Sequence, residues 1–521
     1  MIYILRKIRV NSLIRGCRRY GIGKDLKELK KKNVPKEKAL AYFDDFYQTI
    51  YGAMWPAIRE AMLCERHKYV AVVNNFSETE KIVEKLQLLG AMNVRDLYRV
   101  HRENYEERKQ RRIEEGLPEK PAKSVEPKDQ SKIADKLKAK AEEELQTLLP
   151  PEYENAEQFM DKKKSKDRVQ DEDYEEEVMK VKKLLDPMQM RPLEEDLKSP
   201  KVDENRIVKP SVGLTSTALH EFIPATELKG LDDYILESDQ YQYYKDGSDF
   251  EIKVEKETTL NFPEHLKIFT FEEGNNSRFP TPRRGPNGNF DYYLMDGGSI
   301  LPVLALDLKP GDTMLDMCAA PGGKSLVALQ TLYPRVLVCN DVKLSRLNDL
   351  DGVMHEYLGD LDHWDGRLFL TNQDARAIED KDIYNKILVD VPCTTDRLNL
   401  HTEENNLFKG SRVKERLQLP EIQTEILLQA LKIIAPGGTV VYSTCSLSPI
   451  QNDGVVQMAL KRCYEETQTT MVVKDMYEAL GPLRCIYRFG NDFGFKYGNI
   501  VVPVRKHNWG PLYFCKIVRV N

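Results

Sequence analysis

Several features are missing from this chain of 521 residues. No apolar run reaches the length of roughly 18 residues that a membrane-spanning helix needs, so none is expected. The nine cysteines are sparse for the length of the chain. They include no Cys-x-x-Cys pair, and none stands with histidines at zinc-ligand spacing. We therefore expect neither a disulfide scaffold nor a bound metal, and we expect a reducing compartment.

Acidic side chains are absent from the start of the chain, where the first is Asp25. The basic residues before it are Arg6, Lys7, Arg9, Arg15, Arg18, Arg19 and Lys24. Isoleucine and leucine are interleaved with them. A basic, acid-free, amphipathic start is typical of a mitochondrial transit peptide, so residues 1–30 are predicted to be one and the protein to reside in the mitochondrial matrix. The alternative is a basic arm that contacts RNA.

Composition then changes along the chain. Residues 36–100 are predicted to form an N-terminal helical region, with Tyr42, Phe43, Phe46, Tyr47, Ile50 and Tyr51 at helical spacing. This stripe favours core packing over a base-stacking platform. Residues 101–205 are rich in Lys, Arg, Glu and Asp and are predicted to be a disordered insert. A solvated spacer is favoured there over an arm that binds a partner or RNA.

Residues 206–290 are predicted to link this region to the last domain, and Arg283–Arg284 is a candidate phosphate contact. From 291 to 521 apolar runs alternate with helical stretches. The runs end at Asp316, Asp341, Leu370, Asp390 and Ser443. This alternation predicts an α/β domain with a mainly parallel sheet and helices on both faces. Two further runs, 498–504 and 512–520, are predicted to be strands that close one edge of the sheet.

A glycine turn follows the first of these strands. Gly322 and Gly323 let the backbone approach a ligand closely, and the helix that begins beside Lys324 presents free N–H groups. The pattern is neither the dinucleotide fingerprint nor a Walker loop. Because ligands bind at the carboxyl ends of parallel strands, this turn is predicted to hold a cofactor.

Carboxylates end the neighbouring strands. Asp341 can accept hydrogen bonds from both ribose hydroxyls, and Asp374 can accept one from an exocyclic amine. Asp390 ends the fourth strand. One aspartate at a strand end is a weak signal, whereas three in this order behind a glycine turn indicate a cofactor that contains a nucleoside.

Two cysteines also follow strands, Cys393 in Val391-Pro392-Cys393 and Cys445 in Thr444-Cys445-Ser446. An isolated cysteine is usually a buried structural residue. Here both strands end at the predicted cofactor edge, which favours chemistry. A thiolate that adds to cytosine C6 makes C5 nucleophilic enough to accept a methyl group, and Asp390 can hydrogen-bond the N3/N4 edge of the base.

The glycine turn and the two cysteine motifs resemble those of the RNA cytosine-5 methyltransferases of the Sun-domain family. The resemblance covers residues 265–521. It implies a Rossmann-like class I methyltransferase domain that uses S-adenosyl-L-methionine, with Cys445 bonding to C6 and Cys393 assisting proton removal or product release. The implied cofactor-binding residues are Gly322, Gly323, Lys324, Asp341, Arg346, Asp374 and Asp390. For Arg346, a pair with Asp349 on the same helix is the alternative.

Within the family, the similarity is greatest to the branch that acts on mitochondrial small-subunit ribosomal RNA. The supporting runs are 391–397, 403–406, 513–516 and Trp55–Pro56. That branch implies a role in ribosome assembly and a protein partner of the mitochondrial transcription-termination-factor type. The insert at 101–205 is not part of the family pattern. Two alternatives stay open, a mitochondrial tRNA cytosine-5 methyltransferase and a non-catalytic ribosome-assembly factor.

Overall fold

The computed structural model describes residues 34–114 and 250–520. The described residues belong to one compact unit of the chain, and a second unit, 130–243, lies wholly outside them. The predicted transit peptide also lies outside the described residues. So do residues 115–205 of the predicted insert and residues 206–249 of the predicted linking segment.

The strands of the described ranges form two sheets. They are β1 (Val70–Val73), β2 (Met92–Asn93), β3 (Val254–Lys256), β4 (Ile268–Thr270), β5 (Tyr292–Met295), β6 (Thr313–Asp316), β7 (Val336–Asn340), β8 (Leu368–Thr371), β9 (Lys386–Asp390), β10 (Thr439–Thr444), β11 (Met471–Asp475), β12 (Asn499–Val501) and β13 (Leu512–Arg519). The α-helices are α1 (Pro35–Tyr51), α2 (Trp55–Leu63), α3 (Thr79–Leu88), α4 (Val94–Glu114), α5 (Leu301–Ala305), α6 (Gly323–Gln330), α7 (Leu344–Leu358), α8 (Asp396–His401), α9 (Val413–Ile433) and α10 (Val455–Thr467).

The larger sheet has the strand order β3-β11-β13-β10-β9-β6-β7-β8, and β12 pairs with β13. Strands β8, β7, β6, β9 and β10 are parallel neighbours. Helix α6 connects β6 to β7, α7 leads from β7 towards β8, and α9 precedes β10. The prediction of a Rossmann-like α/β fold with a mainly parallel sheet is confirmed. The strand order reverses at β6, and in such sheets the crevice beside that point receives ligands.

One detail of the predicted sheet is wrong. The two last runs do form strands, but β13 does not close an edge. It lies antiparallel between β10 and β11, whereas β12, which pairs with β13 alone, lies at an edge together with β3 and β8. The first six residues of β13 are buried. A strand whose side chains are mostly apolar is covered best in the interior of a sheet, where it has a neighbour on each side.

The smaller sheet joins two distant parts of the chain. Its order is β2-β4-β1-β5, and all its pairs are antiparallel. Ala71 on β1 faces Phe269 on β4 and Leu294 on β5. Side chains of α3 pack on one face with Phe271 and Phe279, which stack with ring centroids 4.5 Å apart. The N-terminal region therefore belongs to the same folded body as the residues that precede β6.

The aromatic stripe of α1 is core, as predicted. Phe43 and Tyr47 are buried and stack with ring centroids 5.1 Å apart. Phe43 also contacts Phe408 at 5.3 Å, and Tyr47 contacts Trp55 of α2 at 5.4 Å. The stripe therefore fixes α1 and α2 against the segment that follows Cys393.

Helix α4 begins at Val94 and runs to Glu114, so the described start of the charged insert is helical. Across residues 34–114 and 250–520, no helix is both long and apolar enough to cross a membrane. The fold thus brings the carboxyl ends of β6, β7, β9 and β10 together in one crevice.

Candidate active site

The glycine turn lies between the end of β6 and the start of α6. Gly322 has φ 104°, a left-handed conformation that L side chains rarely adopt. A Cβ atom on Gly323 would lie 3.2 Å from Tyr293, so glycine also leaves room at this position. Backbone bonds from Met317 to Leu388 and from Ala319 to Asn340 attach the turn to β9 and β7. The turn therefore aims the N-terminal N–H groups of α6 into the crevice.

Asp341 follows β7, and its carboxylate is buried. Its Oδ1 atom accepts a 3.0 Å hydrogen bond from the backbone N–H of Lys343. Its Oδ2 atom has no hydrogen-bond donor, although Nη1 of Arg346 lies 3.3 Å away in an ion pair of poor hydrogen-bond geometry. A buried carboxylate oxygen that lacks a donor fits the ribose hydroxyls of a nucleoside cofactor.

Arg346 pairs with Asp341 rather than with Asp349, the alternative considered from the sequence. The same guanidinium donates to the carbonyl of Ala320 in the glycine turn. Arg346 therefore connects the turn to the acid that ends β7. A ribose that hydrogen-bonds the Asp341 carboxylate would therefore lie close to the guanidinium of Arg346.

Asp374 follows β8 and is engaged locally. Its Oδ1 accepts from the backbone N–H of Arg376 at 3.0 Å, and Nη2 of Arg376 lies 2.7 Å from Oδ2. The hydrogen bond from Arg376 lowers the pKa of Asp374. The carboxylate is thus held ionised and keeps its orientation at the strand end, where an amine donor would share it with Arg376.

Asp316, which ends β6, is an acid that sequence reasoning did not include in the site. It is buried, and its Oδ2 accepts a 2.6 Å hydrogen bond from Ser325 of α6. Burial raises the pKa of Asp316 to about 7. The sequence marked it only as the end of an apolar run. Its function in the fold is to tie β6 to the start of α6.

The two predicted thiols meet. Strands β9 and β10 are parallel neighbours with Asp390 opposite Ser443, so the loops that follow them start at the same level. The Sγ atoms of Cys393 and Cys445 lie 2.9 Å apart, and the backbone N–H of Cys445 is 3.3 Å from Cys393 Sγ. The hydrogen bond to Cys393 and burial raise the pKa of Cys445 well above its usual value. Cys445 is therefore a neutral thiol in the free protein.

Lys324 joins the glycine turn to the thiols. Its Nζ lies 2.7 Å from Oδ2 of Asp390, whose Oδ1 accepts from Ser443 at 2.7 Å. Burial works to lower the pKa of Lys324, but the Asp390 carboxylate outweighs it and the pKa is raised. The lysine is thus a cation, and its charge favours the thiolate form of Cys445. The structure brings together four of the predicted residues: Lys324, Asp390, Cys393 and Cys445.

A buried carboxylate, Asp396, fixes both cysteine loops and was missed from the sequence. It accepts from the hydroxyls of Thr394 and Ser446, from the backbone N–H of Leu447 at 2.7 Å, and from the phenol of Tyr47 at 2.6 Å. Between Thr394 and Asp396, Thr395 has φ 44°, which is strained for a β-branched residue. No local pattern in the sequence signals this network, because its members are far apart in the chain.

Two glutamines support the Cys393 loop from the other side. Gln451 lies in the π-helical turn Ile450–Gly454, and its Oε1 accepts from the backbone N–H of Thr394 at 3.1 Å. Gln423 of α9 donates to the carbonyl of Pro392 at 2.8 Å. Both are buried, so the position of Cys393 is set by groups from α9 and from the loop after β10.

Of the arginine pair predicted to contact phosphate, Arg284 is engaged within the protein. Its guanidinium lies over the ring of Phe290 and 3.2 Å from Glu356. Among the side chains of the described residues, no group of three His, Cys, Asp or Glu is arranged to hold a metal ion.

Known proteins share these features. Residues 303–482 match the family described as 16S rRNA methyltransferase RsmB/F. The chain is 47% identical over 263 residues to the 5-cytosine rRNA methyltransferase NSUN4 of Bos taurus, covering 49% of this chain and 67% of the relative. It is 32% identical over 492 residues to nsun-4 of Caenorhabditis elegans, a protein of the same description, covering 94% of this chain and 92% of the relative.

A third relative is the protein named tRNA (cytosine(34)-C(5))-methyltransferase, mitochondrial, of Danio rerio. It is 37% identical over 247 residues, covering 47% of this chain and 65% of the relative. The family resemblance predicted from the glycine turn and the cysteine motifs is confirmed. The chain belongs to the RsmB/F family of S-adenosylmethionine-dependent RNA cytosine-5 methyltransferases.

Proposed function

We propose that this enzyme methylates C5 of a cytosine in mitochondrial small-subunit ribosomal RNA through a covalent bond between Cys445 and C6 of the base, and that it supports ribosome assembly. The observation that carries the proposal is the pair of thiols 2.9 Å apart at the ends of β9 and β10, beside the Lys324–Asp390 ion pair. A protein that only bound RNA would need neither thiol. The target base must leave its stack to reach this crevice.

The cofactor residues are those that border the crevice. Gly322 and Gly323 leave space for a close approach of the backbone, and the buried Asp341 oxygen without a donor accepts from ribose hydroxyls. Asp374 takes the exocyclic amine, and Arg346 and Lys324 hold Asp341 and Asp390 in place. When bound, S-adenosylmethionine supplies an electrophilic methyl group on a sulfonium.

The protein residues then divide the covalent chemistry. Cys445 must lose its proton before its sulfur adds to C6, and the nearby Lys324 cation favours that loss. Asp390 hydrogen-bonds the N3/N4 edge of the cytosine and favours protonation of N3 during attack, so that a proton neutralises the charge that forms on the ring as sulfur adds to C6. After C5 has gained the methyl group, its proton leaves to a base and the bond between Cys445 and C6 breaks. Cys393, in contact with Cys445, assists this proton removal or release.

Two observations support the ribosomal substrate in mitochondria. The relatives from Bos taurus and Caenorhabditis elegans are both named as rRNA methyltransferases, and the second is aligned over 92% of its own length. The basic, acid-free residues 1–24 are those expected of a mitochondrial transit peptide. The family resemblance also supports a protein partner of the mitochondrial transcription-termination-factor type, which would supply RNA contacts.

A mitochondrial tRNA substrate is the second candidate, because the Danio rerio relative carries that activity in its name. Over a similar share of this chain, the identity to this relative is 37% and the identity to the Bos taurus rRNA methyltransferase is 47%, which favours the ribosomal substrate. A non-catalytic assembly factor is the third candidate. It predicts that Cys445→Ala supports ribosome assembly as well as the wild type does.

Covalent trapping tests the proposal. Wild type, Cys393→Ala and Cys445→Ala are incubated with S-adenosylmethionine and either mitochondrial small-subunit rRNA or mitochondrial tRNA, then separated on denaturing gels. We expect an rRNA-shifted band in Cys393→Ala that is absent in Cys445→Ala. Cys485→Ala, outside the site, is the matched control and should behave as wild type. A band that requires Cys393 instead would contradict the assignment, and a band with tRNA alone would contradict the ribosomal substrate.

A further inference from the structure

Arg397 is a largely buried cation beside the cysteine loops, and it forms no ion pair with a residue of 34–114 or 250–520. It lies in α8, four residues after Cys393, and only part of its surface is exposed. Its Nη2 donates to Oδ1 of Asn508 at 2.6 Å. Its Nε and Nη1 atoms are buried and have no hydrogen-bond partner among the described residues. No carboxylate of the described residues lies within ion-pair distance of it.

Such an arrangement is costly for the folded protein. A guanidinium that is withdrawn from water without a full set of acceptors loses hydration that nothing in the protein replaces. Buried polar groups that lack partners are rare and call for an explanation, and a missing ligand is one. The ligand must be an anion with acceptor oxygens, because arginine only donates hydrogen bonds.

The neighbouring segment 64–69 is attached to the same place. Asn508, which holds Arg397, also donates to the carbonyl of Arg66 at 3.1 Å and accepts from the backbone N–H of Lys68 at 3.0 Å. The rings of His67 and Tyr69 lie 4.5 Å apart, and Tyr69 is 36% exposed. Asn508 therefore connects the guanidinium of Arg397 to the segment that carries these two rings.

The charges around His67 are mostly positive. Burial lowers its pKa first, then Arg397, and His401 and Arg278 lower it further. Asp296 opposes them, but its carboxylate already accepts from the backbone N–H groups of Gly298 at 2.8 Å and Gly510 at 2.9 Å. The surroundings of His67 therefore carry excess positive charge, which favours an anion.

Two other arginines after Cys393 are held by groups of the protein. Arg412 is bound by Glu415 through contacts of 2.6 and 2.7 Å. Arg416 is 3% exposed and packs over the rings of Tyr42 and Phe408. Arg397 is thus the arginine of this stretch that is placed to receive an external anion.

We propose that Arg397 and His67 form a phosphate-binding cluster, here called the Arg397 cluster, that receives a phosphodiester of single-stranded RNA next to the flipped cytosine. Tyr69 gives an adjoining base a ring on which to stack. Because Arg397 and Cys393 lie on one short segment fixed by Asp396, the bound phosphate sets the distance of the strand from the thiols. This inference rests on the proposed RNA substrate and deepens it.

RNA binding, measured without methyl transfer, tests the cluster. A fluorescent single-stranded RNA oligonucleotide with a central cytosine is titrated with the full-length wild type, Arg397→Gln and His67→Gln over a range of salt concentrations. We expect Arg397→Gln to weaken binding about ten-fold or more and to reduce the slope of log affinity against log salt by about one. Arg412→Gln is the matched control, because Arg412 is already paired, and it should keep the wild-type affinity and slope.

His67 gives a second readout that does not depend on the folding of the Arg397 variant. We expect the NMR-monitored pKa of His67 in the wild type to rise when the oligonucleotide is added, because a phosphate stabilises the imidazolium. The inference is overturned if Arg397→Gln binds like Arg412→Gln, or if the His67 pKa does not move on binding. A wild type that binds no RNA at all would overturn the proposed function together with the cluster, so the two failures are distinct.

Discussion

The phenol of Tyr47 on α1 donates a 2.6 Å hydrogen bond to the buried carboxylate of Asp396, the third residue after Cys393. The same carboxylate holds Ser446 and Leu447, which directly follow Cys445. One acid thus fixes both cysteine loops and attaches them to the N-terminal helix. We therefore expect the separation of the two thiols to depend on this carboxylate.

Tyr47→Phe should loosen that arrangement. It removes one donor from a fully buried carboxylate, so we expect the free energy of unfolding to fall by about 1–2 kcal/mol. We also expect kcat to fall while the Kd for S-adenosylmethionine stays unchanged, since the glycine turn is not touched. Urea unfolding, calorimetric titration and methyl-transfer kinetics measure the three quantities.

Tyr51→Phe on the same helix is its matched control. The phenol of Tyr51 donates to the neutral carbonyl of Leu447 at 2.7 Å, so its loss should cost about 1 kcal/mol or less. Equal losses of stability and kcat in the two variants would show that the charge of Asp396 has no special role.

Lys324 should control the reactivity of Cys445. Its cation lowers the pKa of that thiol, so Lys324→Met should raise the pKa further and slow alkylation by iodoacetamide, which reacts with the thiolate. Asp390→Asn should have the opposite effect, because the Asp390 carboxylate raises the pKa of Cys445. Peptide mass spectrometry across a pH series measures the rate, with Cys485 as an internal reference. Rates that change in the same direction in both variants would contradict this electrostatic account.

Mild oxidation should join the two thiols. With Sγ atoms 2.9 Å apart, diamide should accept the two hydrogens of Cys393 and Cys445 and leave a disulfide. Methyl transfer should then stop and should return after treatment with dithiothreitol. Non-reducing peptide mapping identifies the bond, and Cys485→Ala should form it as readily as wild type. A protein that retains its activity with the disulfide formed would rule out a role for these thiols.

The stability of the protein should depend on Asp316 in the mildly acidic range. Burial raises the pKa of Asp316 from 3.8 to about 7, so the folded state binds its proton more tightly than the unfolded chain does. Stability supplied by the protonated form is present at low pH and is lost as pH rises towards 7. Relative to wild type, Asp316→Asn should therefore gain stability as pH rises from 3.8 to about 7 and gain no more above it. Urea midpoints at four pH values check this, and a constant difference would contradict it.

Much of the site follows from strand ends. Apolar runs that alternate with helices predict parallel strands, and the carboxyl ends of parallel strands share one edge. That rule was enough to predict that Cys393 and Cys445, far apart in sequence, lie close together. It also predicted that Lys324, at the start of α6, lies near Asp390 at the end of β9. The position of each cysteine could be predicted from local sequence, because each cysteine motif lies directly after its strand.

Other contacts could not be predicted because they depend on packing between distant segments. The spacing along α7 allowed Arg346 to reach Asp349, whereas the fold gives it Asp341. Asp396 is an ordinary acid in the sequence until α1 brings Tyr47 to it. The unpaired nitrogens of Arg397 likewise appear only when its neighbours are in place, since a lack of partners has no pattern in the sequence.

The small antiparallel sheet has a consequence for how the protein reaches its native state. Its strand β1 leaves the ribosome early. Its partners β4 and β5 come after Phe250 in the sequence, so residues 115–249 are synthesised before them. During synthesis, Val70–Val73 is therefore a short apolar segment that has not yet paired with β4 and β5, and unpaired strand edges are prone to aggregate. A truncated chain that stops before β4 should need a chaperone at this segment, whereas the finished chain covers it by itself.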